Sequence, residues 1–345
     1  MSMYYYRPPE LSETEFALFE SLTRRRFLIG AGALGLGAIT GCGPGDQAGG
    51  PATSTPFAAT SRTMQGVLGN TYTLSGPPQR LHVGTGPDLD TALSVGIIPT
   101  SIEIYGDAEL RPDQAAAAGV ELIRYVDGPN LEALAAANPD LILTGWGEDY
   151  HQRMAEIAPT FFIDSSNKPW RDIAREIGRI LFKDAEVEAL IANLEARFAG
   201  FRERLRARAG QTPCILYTST GTDFTLMTRD SAVGQLMVEL GFAPLAKTGD
   251  IFGESVSLEG LASEAQGDFL LLLASGFRFV DPNEPVPEGI QQFLNNPITR
   301  ALPAAQGGIF LYPRDGNDVY YFTVMLIPIF VDLLEQLLTQ APGTR

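Results

Sequence analysis

The run from Asn130 to Gly147, Asn-Leu-Glu-Ala-Leu-Ala-Ala-Ala-Asn-Pro-Asp-Leu-Ile-Leu-Thr-Gly-Trp-Gly, constrains the fold more than any other part of this chain. Asn130 opens a helix, and Asn138-Pro139-Asp140 stops it because proline cannot continue the backbone ladder. Leu141-Ile142-Leu143-Thr144 then reads as a strand of the buried type, apolar at consecutive positions rather than alternating. Helix, Pro-Asp stop, apolar strand and Gly-rich exit together make a parallel α/β unit. Upstream, Arg80-Leu81-His82-Val83 reads as a short strand ending in Gly84-Thr85-Gly86. Asp88 to Val95 reads as a short helix closed by Gly96, and Ile97-Ile98-Pro99-Thr100 as a further strand.

The second half repeats the pattern. Cys214-Ile215-Leu216-Tyr217 is a strand leading into the polar loop Thr218 to Thr222, and Ser231 to Leu240 is helical up to Gly241. Ser257-Leu258-Glu259-Gly260-Leu261 starts a helix, Gly267-Asp268 breaks it, Phe269 to Leu273 is a buried strand, and Ser275-Gly276-Phe277-Arg278 is its exit loop. Between the halves, Ile173, Ala174, Ile177 and Leu181 share a helical face within Trp170 to Phe182. Asp184 then fits the N-cap of a helix running to Gly210 with Val187, Leu190, Ile191, Leu194, Phe198, Phe201 and Leu205 on its apolar side. About 26 residues at 1.5 Å each span roughly 40 Å, enough to cross between lobes. The expected fold is α/β: two Rossmann-like lobes bridged by one long α-helix, with a ligand cleft between them. The expected boundaries are 76–168 for the N-terminal lobe, 169–210 for the helical segment and 211–345 for the C-terminal lobe.

The first 75 residues have a different composition. Thr23-Arg24-Arg25-Arg26-Phe27-Leu28 precedes a small and apolar run ending at Gly41-Cys42. That run is about 12 residues, short of the roughly 20 needed to span a bilayer, and reads as a signal peptide over residues 1–41. The paired arginines resemble the twin-arginine class, which exports folded chains. Ile39-Thr40-Gly41-Cys42 resembles a bacterial lipobox, which implies lipidation of Cys42 and anchoring to the outer face of the cytoplasmic membrane. Residues 42–75, rich in Gly, Pro, Ser, Thr and Ala at their start, read as a flexible tether.

Charge and cysteine content exclude several classes. The net charge of −16 argues against nucleic acid as a partner. Cys214 is the only cysteine besides Cys42, so no intramolecular disulfide is expected, and its apolar surroundings make it a buried hydrophobe. His82 and His151 lack metal-ligand spacing, so no resident metal is expected. Gly84-Thr85-Gly86 lacks the later glycine of a dinucleotide fingerprint, and no Gly-x-Ser-x-Gly elbow occurs. Enzyme readings thus find little support in the sequence, and no cofactor is expected.

Several segments in order resemble the helix-bridged (class III) substrate-binding proteins of ABC importers, in the ferric-siderophore branch. They are Pro78-Gln79-Arg80-Leu81, Asp88 to Pro99, Gly128 to Leu143, Ser257 to Leu261 and Asn296 to Ala304. The resemblance implies a monomer that captures an Fe3+-siderophore complex and presents it to ABC permease subunits. Haem or cobalamin binding, or a non-transport scaffold or signalling role, are alternatives within the same fold. It also implies that Glu132 and Glu259, one per lobe, dock on arginine pockets of the permease. Candidate ligand contacts are the aromatics and arginines near strand ends: Trp146 and Arg278 foremost, then Tyr105, Tyr150, Trp170, Tyr217, Arg229, Arg314 and Tyr320. Arginine donates to metal-bound oxygens without competing for iron, and aromatic faces pack flat chelator groups.

Overall fold

The computed structural model describes residues 3–5, 61–84, 86–105, 120–125, 128–145, 148–165, 168–275, 286–314, 323–324 and 326–340. A strand Met3–Tyr5 (β1) lies within the expected signal peptide. Next come a hairpin of Arg62–Gln65 (β2) and Thr71–Leu74 (β3), then Leu81–Val83 (β4) and the helix Gly86–Ser94 (α1). Ser101–Tyr105 (β5), Glu121–Tyr125 (β6), Leu131–Ala137 (α2), Leu141–Thr144 (β7), Glu148–Ile157 (α3) and Thr160–Phe162 (β8) complete the first lobe. Its sheet has the order β6-β5-β4-β7-β8 with every neighbouring pair parallel.

Trp170–Ile180 (α4) and Asp184–Arg204 (α5) connect to the second lobe, which opens with Pro213–Thr218 (β9), Phe224–Leu226 (β10), Ala232–Glu239 (α6) and Glu254–Val256 (β11). Leu261–Glu264 (α7), Phe269–Ser275 (β12), Glu288–Asn295 (α8), Pro297–Ala301 (α9), Pro303–Gln306 (α10), Ile309–Arg314 (β13) and Leu326–Gln340 (α11) follow. The second sheet has the order β1-β13-β12-β9-β10-β11. Here β9, β12, β13 and β1 are parallel, while β10 and β11 are antiparallel additions. Among the described residues no helix is long and apolar enough to cross a membrane.

The Asn130–Thr144 run folds as its chemistry dictates. The Asn130 side chain accepts from Ala133 N at 3.0 Å, capping α2, and Asn138 ends it in the left-handed region at φ 48. Arg80 caps the far end, donating from Nε to Asn138 O at 2.7 Å and from Nη2 to Ala137 O. The Asp140 carboxylate accepts from the backbone of Gln79 at 2.7 Å and Arg80 at 3.0 Å, tying the start of β7 to the start of β4. The second lobe repeats this clasp: Asp268 Oδ2 accepts from Thr212 N at 2.6 Å, joining the starts of β12 and β9. The two aspartates of the repeated pattern therefore align the central strands of each sheet.

Several sequence expectations need correction. The stretch assigned to the tether is folded from Arg62 onward. Arg62 pairs with Asp184 at 2.6 Å and donates to Arg179 O at 2.5 Å, and Val67 N donates to Thr160 O at 3.0 Å. Its strands were hidden in a polar, Thr-rich segment too short to show periodicity. The strand expected at Ile97–Thr100 begins at Ser101 instead, because Pro99 lacks the donor a ladder needs. Lys183, not Asp184, is the N-cap of α5, without a side-chain cap bond. The bridging helix stops at Arg204 rather than Gly210. Its 21 residues span about 32 Å, and the chain then tightens into a 3-10 turn, Arg206–Arg208, that buries Arg208 over the Phe310 ring. The helix expected from Ser257 is the single turn α7, preceded by a turn in which the Ser257 hydroxyl accepts from Gly260 N at 3.1 Å.

One apolar cluster runs from the β4 face of the first sheet through α1, α4 and α5 to the second sheet and α11. Along β12 the faces alternate: Leu271 and Leu273 join this cluster, while Leu270 and Leu272 pack on Leu216, Ile290 and Phe293 beneath the opposite helices. The outer face of the first sheet has its own cluster of Ile123, Leu134, Ile142 and Met154. Cys214 is buried, and burial pushes its thiol up to about 12, so it stays protonated and inert.

His82 lies in the strand core with Nδ1 2.9 Å from the Ser101 hydroxyl, and burial pushes its pKa down to about 4. The folded ring is thus neutral where the unfolded one, with a pKa near 6.5, takes up a proton. Stability is full above pH 6.5 and falls as pH drops toward 4, by about 3 kcal/mol over that window. Denaturant titrations at pH 7 and 4.5 should show a smaller acid loss in His82→Gln than in wild type. An equal loss in both would refute the assignment.

Candidate ligand cleft and docking residues

In open α/β sheets, ligands bind beyond the C-terminal strand ends where strand order reverses. In the first lobe that point lies between β4 and β7. Gly84 follows β4, its N–H donating to Leu143 O at 3.0 Å, and a Cβ there would stand 3.4 Å from both Glu103 Oε2 and Thr144 Oγ1. α1 starts directly after this crossing and carries the fully buried Asp88 and Asp90. Asp90 Oδ2 accepts from the Thr323 hydroxyl, which in turn accepts from Leu326 N at 3.2 Å at the start of α11. This contact joins α1 of the first lobe to the start of α11 in the second.

In the second lobe the reversal lies between β9 and β12. β9 exits into Ser219-Thr220-Gly221-Thr222-Asp223, a loop built around one carboxylate. Asp223 accepts from Ser219 N at 3.2 Å, Thr220 N at 2.8 Å and the hydroxyls of Thr218, Ser219 and Thr220. Burial alone raises the Asp223 pKa, but the Ser219 and Thr220 hydrogen bonds outweigh it and hold the carboxyl well below the usual range. The loop is pinned from behind. Gly221 has φ +83, and a Cβ there would lie 2.2 Å from the Gly289 carbonyl, at the first turn of α8.

The candidate contacts divide by position. Tyr105 closes β5 and Arg314 closes β13, both at C-terminal ends of parallel strands. Tyr150 stands on α3 with its hydroxyl against Gly128, where an added Cβ would be 2.5 Å away. Trp170 packs edge-on against Phe198 of α5 at 6.2 Å, under the Arg171 guanidinium at 4.3 Å, so it belongs to the helical bridge. Tyr217 is half-buried and packs on the main core. Arg229 stands at the opposite end of the sheet, where its Nε and Nη2 each donate to Leu245 O at 3.3 Å. The reason is the antiparallel β10, which carries the chain back from the cleft before Arg229 is reached. Trp146, Arg278, Tyr320 and Cys42 lie outside the described residues.

Glu132 is exposed in the first turn of α2, after the edge strand β6, and Glu259 is exposed in the turn after the edge strand β11. Each stands on the connection from its lobe's edge strand to the strand beyond the reversal point, so the two positions are topologically equivalent. Sequence reasoning missed Asp223 and the Asp90–Thr323 contact. The first was visible as a Ser/Thr run ending in Asp; the second joins residues far apart in the chain and left no local signal.

Residues 95–314, more than half of the chain, match the periplasmic binding protein family. The chain belongs to that family. Among its relatives is the ferric enterobactin-binding periplasmic protein FepB of Escherichia coli O6:H1, 28% identical over 262 residues, covering 68% of this chain and 79% of the relative. The Fe(3+) dicitrate-binding periplasmic protein FecB of Escherichia coli K12 is 28% identical over 268 residues, 72% of this chain and 80% of its own. The crystal structure of a periplasmic solute binding protein from Mycobacterium smegmatis superposes with a TM-score of 0.67 at 22% identity, over 81% of this chain and 98% of that one. This periplasmic binding protein thus shares the two-lobed fold of solved solute binders.

Proposed function

We propose that this periplasmic binding protein captures a ferric siderophore in the cleft between its lobes and delivers it to an ABC permease. Similarity to the enterobactin and dicitrate binders over most of both chains carries the reading. Its role is binding rather than catalysis, in keeping with the periplasmic binding protein family. A lipid on Cys42 keeps the protein at the outer face of the cytoplasmic membrane, raising its effective concentration near the permease. Glu132 and Glu259 are the docking carboxylates, and Tyr105, Trp146, Arg278 and Arg314 are the ligand contacts whose strands end at the cleft.

Intrinsic fluorescence tests capture, because Trp146 and Trp170 are the only tryptophans and Trp146 follows β7. Titration with a ferric tris-catecholate, ferric citrate and a ferric trihydroxamate should give saturable quenching by at least one complex, and none by the iron-free chelator at the same concentration. Absence of saturable quenching by all three would sink the siderophore reading.

A further inference from the structure

We propose that the loop Ser219–Thr222, held by Asp223, is the second lobe's contact with the ligand and that it recognises hydrogen-bond donors on the chelator, amide N–H or ammonium groups. The inference rests on the siderophore reading above and adds which chemistry the second lobe selects.

The argument follows from where the protons are. An ionised carboxylate can only accept, so the protons it shares with Thr218, Ser219 and Thr220 belong to their hydroxyls. The low pKa of Asp223 keeps the carboxylate ionised throughout the neutral range. Thr220 Oγ1 lies 2.7 Å from Thr222 Oγ1, and since the Thr220 proton is committed to Asp223, Thr222 is the donor of that pair. The backbone is committed as well: Ser219 N and Thr220 N donate to Asp223, Gly221 N to Thr218 Oγ1 at 2.8 Å, and Thr222 N to Thr220 Oγ1 at 3.2 Å. Every N–H from Ser219 to Thr222 and every hydroxyl proton of the loop points inward. Ser219, Thr220 and Thr222 are nonetheless exposed, so the surface they present consists of oxygen lone pairs beside a negative charge. Such a surface pairs with donors and repels carboxylate or phenolate oxygens. The loop is also rigid, because Gly221 and Gly289 meet backbone to backbone, and it stands at the strand-order reversal of the second sheet. Asp223 is therefore a positioning residue, and the hydroxyl oxygens make the contact.

Wild type, Asp223→Asn and the double variant Ser219→Ala/Thr220→Ala are titrated by fluorescence with two ferric trihydroxamates, one bearing a free ammonium group and the other its N-acetylated form, and with ferric citrate. Wild type is expected to bind the ammonium form about tenfold more tightly than the acetylated one. Both variants should bring the pair within about twofold, with Tm close to wild type. Asp223→Asn should in addition bind ferric citrate more tightly than wild type, because the carboxamide donates to one hydroxyl and turns that hydroxyl's proton outward; a purely structural role for Asp223 does not produce that gain. Equal wild-type affinity for the matched pair, a preference for citrate over the ammonium form, or a preference unaltered in both variants would overturn the inference while leaving siderophore capture standing. Failure of wild type to bind these complexes while it binds a ferric tris-catecholate would overturn the inference alone; failure to bind any of them, the tris-catecholate included, would remove both. If Asp223→Asn does not fold, the hydroxyl double variant decides.

Discussion

A chain carrying both Glu132→Ala and Glu259→Ala is expected to bind its ferric ligand with wild-type affinity and to support transport at least about tenfold more slowly. That size follows from losing two charge-assisted contacts of roughly 1 kcal/mol or more each at a docking surface. The competing account is that each is an ordinary glutamate stabilised by a helix N-terminus, worth about 0.3–1 kcal/mol of stability. It fits Glu132, which lies in the first turn of the seven-residue α2. It fits Glu259 poorly, because that residue precedes a four-residue helix with too few aligned peptides to make a useful dipole. Iron uptake in cells relying on this binder, together with fluorescence titration and Tm of the purified variant, separates the two. Unchanged uptake with a lowered Tm would return both residues to a structural role.

The parts of the fold legible in the sequence are those where one segment satisfies itself. Leu141–Thr144 was readable because a strand buried on both faces has no polar position to obscure it. The helix from Ser231 was readable because its start is settled locally, the Ser231 hydroxyl accepting from Gly234 N at 3.1 Å three residues on. The strands that escaped were short edge or antiparallel pieces such as β8, β10 and β11, whose conformation is imposed by the neighbouring strand. The same limit governed the cleft. Arg229 was grouped with the arginines and aromatics near strand ends, but a reversed strand cannot be distinguished from a parallel one by hydropathy alone. Asp90 and Thr323 are 233 residues apart, and only the packed structure brings them together. Glu132 and Glu259 stand out because of the matched segments around them, and the topology adds that both segments bridge the same pair of strand positions.

Phe201→Ala is expected to destabilise the protein by about 3–5 kcal/mol, the range for deleting a buried ring whose cavity cannot close. Phe201 is fully buried at the end of the bridging helix and begins a line of aromatic contacts into the second sheet. It packs edge-on against Phe242 at 6.1 Å, Phe242 against Phe269 at 5.7 Å, and Phe269 against Phe310 at 5.5 Å. The helix is also tied outward by ion pairs from Arg197 to Asp332 and from Arg204 to Glu335. These pairs are partly exposed and screened, so Arg197→Ala and Arg204→Ala should each cost less than about 1 kcal/mol. Equilibrium denaturation of the three variants discriminates the two sources of rigidity. A Phe201→Ala cost below that of either arginine variant would mean that charge, not packing, holds the bridge. If packing dominates, the bridge keeps its stiffness at high salt, and ligand affinity should change little between low and physiological ionic strength except through contacts in the cleft itself. Lobe motion is then expected to be confined to residues flanking α5, with capture by a small hinge adjustment.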